Sequence, residues 1–107
     1  MAYHELKTWT VAFDPMVEGI KRFELRKNDR GYEKGDRLIL REWNPDTGYT
    51  GRELCVAVTW ILKEGFGLPD GYCIMSINPI TYRSGYGLTG HSKQFGSDRP
   101  CGYEGHI

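Results

Sequence analysis

One short segment has charged side chains of the types and spacing that suit recognition of an anion or a nucleobase: Lys21, Glu24 and Arg26. Two positions apart on a β-strand, Glu24 and Arg26 project to the same side, about 7 Å apart along the chain. An arginine beside a carboxylate can be held rigid with its remaining donors turned outward, which suits a phosphate or a base edge. Lys21 would contact a phosphate or complement the end of a preceding helix. An exposed strand face with a weak ion pair is the commoner explanation of such a pattern.

The charge balance sets this segment apart from the rest of the chain. Lys and Arg together number 14, as do Asp and Glu, so an overall field that steers the protein to nucleic acid is excluded. Residues 21–30 nevertheless hold five basic and two acidic side chains, and five minus two gives a local charge of +3. Asn28 and Arg30 extend the candidate binding site along this run. A solvated, turn-forming charge run is the alternative interpretation.

The opening segment provides further candidates for the binding site. His4 and Lys7, near Trp9, form a polar and aromatic group that could lie across the sheet, opposite the basic strand. Trp43 and Trp60 could stack on a base. Each of these two tryptophans lies within an apolar strand, however, so we expect both in the core.

Catalytic and metal-binding motifs are weak in this sequence. It contains neither the GxSxG motif of a nucleophilic serine nor a phosphate-binding glycine loop. His91, Cys101 and His106 lack the paired spacing of a zinc site, so we predict no metal and no cofactor.

The cysteines and the hydropathy indicate in which cellular compartment the protein is expected. Three cysteines are too few and too scattered for a disulfide framework, and Cys55 and Cys73 lie in apolar runs typical of buried free thiols. No apolar run approaches the roughly 20 residues of a membrane span. We therefore expect a cytoplasmic protein without membrane contact.

The elements that position these side chains follow from periodicity and turn residues. A helix is predicted over residues 10–18, beginning at Thr10 or at Asp14 and ended by Gly19. A strand follows from Lys21, and three more are predicted over residues 37–43, 52–62 and 72–80, with a hairpin at 44–51 and a stop at Pro79. The fold class is α+β, a small curled sheet or barrel over residues 1–80, and residues 81–107 form an irregular, glycine-rich tail.

The same residues resemble a known superfamily. The ASCH pattern GxKxxExR is met by Gly19, Lys21, Glu24 and Arg26. The HxLK start, the string RKNDR and the strand YCIMSI follow in the order seen in a family of small phage and bacterial ASCH proteins. The resemblance implies a PUA-like β-barrel with one or two short helices beside a cleft that the pattern residues line. It also implies binding of RNA or a modified nucleotide.

Two other functions remain open beside this binding module. Some ASCH proteins are amidohydrolases of acetylated cytidine, but they carry a nucleophilic threonine where this chain has Glu24. The first alternative is a small hydrolase or nuclease with Lys21 and Glu24 as an acid–base pair and His4 as a possible participant. The second is a phage accessory protein that binds a host protein through the glycine- and tyrosine-rich tail.

Overall fold

One sheet and one short helix account for the part of the chain that the computed structural model describes, residues 1–84 and 92–94. In chain order the elements are β1 (Tyr3–Trp9), α1 (Thr10–Val17), β2 (Phe23–Lys27), β3 (Arg37–Asn44), β4 (Gly48–Leu62), β5 (Tyr72–Arg83) and β6 (Ser92–Gln94). The main path of the sheet runs β1–β3–β4–β5–β2, and β6 pairs with β5 off this path. The sheet curls until its two ends, β1 and β2, come together, and the side chain of Arg26 in β2 donates to the carbonyl of Lys7 in β1. This confirms a small, barrel-like α+β fold.

The core lies inside the curl, where α1 contacts β1, β3 and β5. The helix contributes Phe13 and Met16, both fully buried. The sheet contributes alternate apolar side chains, among them Leu38, Leu40, Leu54, Val56, Val58, Met75 and Ile77. Because successive side chains of a strand point to opposite faces, this alternation allows one face of the sheet to pack against the helix.

The opening segment, Tyr3–Trp9, is a strand that was not predicted, because its many polar residues give a weak strand pattern. β1 pairs in parallel with β3 over its whole length, from Tyr3 opposite Arg37 to Trp9 opposite Trp43. Only Leu6 and Thr8 are buried on it. β1 is therefore an edge strand, and its far side faces the opposite end of the sheet.

The prediction that the last strand stops at Pro79 is wrong, since β5 continues to Arg83. Cys55 pairs with Thr81 and Val56 with Pro79, which leaves Ile80 as an extra residue in β5. A proline, which lacks an N–H, is tolerated at such a bulge. The domain boundary at residue 80 stays a prediction, because residues 85–91 and 95–107 lie outside the described part of the chain.

A second bulge reverses the alternation of side chains along β4. Val58 pairs with Ile77 and Trp60 with Ser76, so Thr59 is an extra residue and the alternation reverses there. Trp60 is consequently 54% exposed, and Ile61 packs against the core in its place. The prediction of Trp60 as a core residue is wrong for this reason. The prediction of Trp43 as a core residue is also wrong, because Trp43 is partly exposed and belongs to neither core cluster.

The cysteines differ from each other. Cys73 is a free, fully buried thiol, whereas Cys55 is disulfide-bonded, so the interpretation of Cys55 as a free thiol is wrong.

Among the described residues, no helix has the length and apolar character needed to cross a membrane. A cytoplasmic location stays a prediction.

Candidate functional site

The end of α1 sets the position of Lys21. Gly19 has a left-handed backbone (φ +80°), and its N–H donates to the carbonyl of Met16 at 3.1 Å. The N–H of Ile20 donates to the carbonyl of Pro15 at 2.9 Å, which completes a Schellman motif. The same carbonyl accepts the N–H of Lys21 at 3.1 Å. The helix end therefore fixes where the following segment begins.

β2 has its polar face inside and its apolar face outside. Glu24 is only 3% exposed, whereas its neighbours Phe23 and Leu25 are 45% and 52% exposed. Antiparallel pairing with β5 places Glu24 opposite the buried Met75. The alternative interpretation of an ordinary exposed strand face is therefore wrong for Glu24.

Two cations share the buried carboxylate of Glu24. Arg26 donates from Nε to Oε2 at 2.8 Å, and Lys21 donates from Nζ to Oε1 at 3.3 Å. Lys21 also donates to the carbonyl of Phe23 at 2.8 Å. An ionised carboxylate in a buried position costs free energy unless it is paired and hydrogen-bonded. Each oxygen of Glu24 has such a partner, so the three side chains act as one unit.

Arg26 and Arg30 join the two ends of the sheet. Arg26 donates from Nη2 to the carbonyl of Lys7 at 3.0 Å and to Oγ1 of Thr8 at 3.2 Å. Arg30 donates from Nη1 to the carbonyl of Glu5 at 2.9 Å. Strand β1 thus offers edge carbonyls to arginine side chains on this side. The space between β1 and β2 remains open.

We call this space the β1–β2 cleft; it has a volume of about 600 Å³. Its lining residues are Leu6, Lys7, Thr8, Trp9, Ala12, Lys21, Phe23, Glu24, Leu25, Arg26 and Arg30. The charged unit forms the centre and apolar side chains form the walls. Lys21 Nζ lies 4.3 Å from the centroid of the Phe23 ring, so cation and aromatic surface adjoin there. Such a site can bind a group that is partly anionic and partly flat and apolar.

The cleft brings together five of the seven predicted binding residues: Lys7, Lys21, Glu24, Arg26 and Arg30. His4 and Asn28 are not among its lining residues. Asn28 accepts the N–H of Tyr32 on Oδ1 at 3.0 Å and donates its own N–H to the carbonyl of Gly71 at 2.7 Å. It thereby fixes the loop that carries Arg30.

His4 belongs to a separate buried group. Its Nε2 lies 2.9 Å from Oδ2 of Asp36, and its ring meets the buried Tyr32 edge-on at 4.8 Å. Burial alone would raise the pKa of Asp36, but hydrogen bonds from the N–H of Ala2, from His4 and from the N–H of Glu33 hold it below its usual value. Burial raises the pKa of Tyr32. This group anchors the start of β1.

A second buried carboxylate holds α1 against the sheet. Glu42 accepts a hydrogen bond from Thr50 at 2.7 Å, and Nε of Arg52 lies 3.1 Å from the same oxygen, although without hydrogen-bond geometry. Arg52 also donates from Nη2 to Asp14 of the helix at 2.5 Å, and its guanidinium lies 4.9 Å from the Phe13 ring. These contacts link the sheet to the helix that ends beside Lys21.

Sequence reasoning missed Thr8 and Phe23 as cleft residues. The alternation in the opening strand, with Leu6 and Thr8 on one face, was a usable signal for Thr8. No comparable signal in the sequence pointed to Phe23. As for metals, no group of three or more His, Cys, Asp or Glu side chains in the described ranges could hold an ion. His91, Cys101 and His106, at which no metal site is predicted, lie outside those ranges.

Comparisons with known proteins place the chain in a family. An uncharacterized 12.9 kDa protein in the GpA 3'region of Escherichia phage P2 is 48% identical over 67 residues. The aligned region covers 63% of this chain and 61% of the phage protein, less than two thirds of its length. Residues 3–77, which include the whole β1–β2 cleft, match the family model described as a domain of unknown function, DUF3850. The chain belongs to the DUF3850 family.

Proposed function

We propose that this chain is a binding module for nucleic acid, RNA above all, or for a modified nucleotide, and that the ligand occupies the β1–β2 cleft. The observation that carries the proposal is the buried Glu24 held between Lys21 and Arg26 at the centre of that cleft. Apolar residues of similar volume often stabilise a fold as well as a buried ion pair does. A charged unit beside an open cleft is therefore better explained by recognition than by stability.

The donors that remain on the two cations suit an anionic ligand. Arg26 uses Nε and Nη2 within the protein, and its Nη1 donates to none of the described residues. Glu24 orients this guanidinium, so that Nη1 is presented to a phosphate or a base acceptor. Lys21 and the rim residue Arg30 would add positive charge.

The walls of the cleft suit a base. Trp9 and Phe23 both line it, and both side chains are about half exposed. Aromatic side chains beside cations are the usual means of holding unpaired bases. In this proposal Asn28 and His4 position the site and do not touch the ligand.

The family resemblance supports the same ligand class. A curled sheet with a helix near a cleft agrees in outline with the PUA-like fold that the ASCH pattern implies. ASCH domains are thought to bind RNA. Of the four residues of the ASCH pattern, Gly19 ends the helix, and Lys21, Glu24 and Arg26 form the charged centre of this cleft.

The test is fluorescence anisotropy of a labelled single-stranded RNA of randomised sequence, titrated at two salt concentrations. We expect salt-sensitive binding that Arg26→Ala and Arg30→Ala weaken and Lys27→Ala changes little. Lys27 is the matched control, because it is exposed on the same strand and does not line the cleft. Arg30→Ala leaves Glu24 untouched, so it separates loss of binding from loss of fold. Equal affinity of all four proteins would overturn the proposal.

A hydrolase is the second candidate, favoured by the contact of 3.3 Å between Lys21 Nζ and Glu24 Oε1. An amine and a carboxylate at this distance can exchange a proton during catalysis. Screening modified nucleosides for turnover tests it. Turnover that Lys21→Ala abolishes, in a variant that still folds, would support the enzyme over the binding module.

The hypothesis of a host-protein partner rests on residues 81–107. Most of these residues lie outside the described ranges, so this hypothesis stays a prediction.

A further inference from the structure

Three aromatic rings lie side by side on the outer face of the sheet. Trp9 on β1 is opposite Trp43 on β3, and their ring centroids are 5.3 Å apart. Trp43 is in turn opposite Tyr49 on β4. Adjacent strands are about 4.8 Å apart, so the rings extend over roughly 10 Å. Trp9 is 52% exposed and Tyr49 is 51% exposed.

Two cations accompany these rings. Lys7 Nζ lies 4.2 Å from the centroid of Trp43, and the guanidinium of Arg41 lies 4.5 Å from that of Tyr49. Lys7 and Arg41 are opposite each other in the β1–β3 register. We call these five residues, Lys7, Trp9, Arg41, Trp43 and Tyr49, the aromatic face. Two acidic side chains adjoin this face: Glu5 lies 3.7 Å from Arg41, and Glu53 is opposite Arg41 in the β3–β4 register.

The aromatic face is continuous with the β1–β2 cleft. Lys7 and Trp9 line the cleft and also belong to the face. The carbonyl of Lys7 accepts a hydrogen bond from Arg26 inside the cleft, while its side chain lies over Trp43 outside it. Strand β1 is therefore a wall with a binding surface on each side, and Trp9 is at their junction.

We infer that the ligand is a single-stranded polynucleotide that runs from the cleft across β1 onto the aromatic face. This inference rests on the proposed function and names its ligand class. Rings beside cations can stack on bases while the cations pair with the adjoining phosphates. Bases within a duplex are already stacked and paired, so only unpaired bases can use these rings. A free nucleotide would fill the cleft and leave the aromatic face empty.

The experiment compares two labelled RNAs of randomised sequence, a dinucleotide and an oligomer of about eight nucleotides, in the same anisotropy assay. We expect the oligomer to bind at least tenfold more tightly. Tyr49→Ala and Arg41→Ala should each weaken oligomer binding several-fold and leave dinucleotide binding unchanged. Trp60→Ala is the control, since Trp60 is an equally exposed ring on β4 that belongs to neither surface.

The possible failures can be told apart. If affinity does not depend on RNA length, or if Tyr49→Ala weakens binding no more than Trp60→Ala does, the aromatic face does not bind the ligand. Binding in the cleft is then unaffected by this result. Oligomer binding that Arg26→Ala and Arg30→Ala do not change overturns the proposed function. Absence of binding at either length overturns both.

Discussion

Arg26 donates from Nε to the buried carboxylate of Glu24 at 2.8 Å and from Nη2 to the carbonyl of Lys7 at 3.0 Å on the opposite end of the sheet. One guanidinium thus pairs with the buried charge of β2 and also bridges to β1. The cleft exists because side chains, and not a backbone ladder, join these two edges. The stability of the sheet closure and the ligand chemistry are therefore coupled in the same residues.

Replacing Glu24 with Gln should reduce both stability and binding. The variant keeps the shape of the side chain but removes the negative charge between Lys21 and Arg26. Hydrogen bonds to charged groups contribute about 1.5–3 kcal/mol each, so we expect the free energy of unfolding to fall by about 2 kcal/mol. Urea denaturation measures it. The control Glu33→Gln, in an exposed pair with Lys63, should cost under about 0.5 kcal/mol. Equal losses of unfolding free energy in the two variants would show that the charge of Glu24 is not needed to hold Lys21 and Arg26.

Replacing Gly19 with Ala should disturb the site through the backbone. Gly19 and Gly67 both have φ +80°, and a methyl group at either position meets no atom within 4 Å. Each substitution should therefore cost about 1 kcal/mol from backbone conformation alone. Only Gly19→Ala should also weaken RNA binding, because Gly19 precedes Lys21. Thermal denaturation with parallel anisotropy titrations checks this, and equal binding by the two variants would contradict it.

Asp36 should contribute to stability in a pH-dependent way. Its pKa in the folded protein is lowered from 3.8, chiefly because the hydrogen bonds from Ala2, His4 and Glu33 outweigh the effect of burial. A lowered folded-state pKa stabilises the protein fully above the unfolded-state value and loses this effect as the pH falls through the folded-state value. The stability difference between wild type and Asp36→Asn should thus be constant near neutral pH and shrink below about pH 4.

Urea denaturation at a series of pH values measures this difference. The control is Asp70→Asn, at an exposed loop carboxylate. A difference between wild type and Asp36→Asn that grows with acidification would contradict the assignment.

The thiol of Cys73 should be unreactive in the folded protein. Cys73 is fully buried, and burial raises its pKa above the usual value of 9.0. Little thiolate is therefore available at neutral pH, and alkylating reagents cannot reach the sulfur. Peptide mapping after iodoacetamide treatment should find Cys73 unmodified in buffer and modified in denaturant. Rapid native labelling would mean that β5 opens locally.

Replacing Arg52 with Met should loosen the helix. The substitution leaves the buried Glu42 with Thr50 as its partner and removes the contact to Asp14. Breaking a buried ion pair from one side costs about 3–5 kcal/mol. Denaturation should show a loss of that order, whereas the exposed Lys63→Met should cost under about 0.5 kcal/mol. In the double variant Arg52→Met with Glu42→Gln, part of this stability loss should be recovered. If the losses of the two single variants simply add, Arg52 and Glu42 do not stabilise each other.

Much of the architecture could be predicted from local patterns. Periodicity and turn residues indicated four of the strands, β2 to β5, and Gly19 marked the end of the helix. The two bulges in the β4–β5 pairing could not be predicted, because an extra residue in a strand leaves no signature in the local hydrophobic pattern. For that reason Trp60 was expected in the core, and the last strand was expected to stop at Pro79.

The sequence by itself determined which residues carry the charge of the candidate site: Lys21, Glu24, Arg26 and Arg30 stand together in one basic segment. Only the tertiary structure decided that Glu24 is buried and that His4 and Asn28 support the site from outside it. The same two-residue period describes a strand with its polar face outward or inward. Which face is buried depends on how the sheet curls. The curl brings together β1 and β2, which are the two ends of the main sheet path and which no local pattern in the sequence pairs.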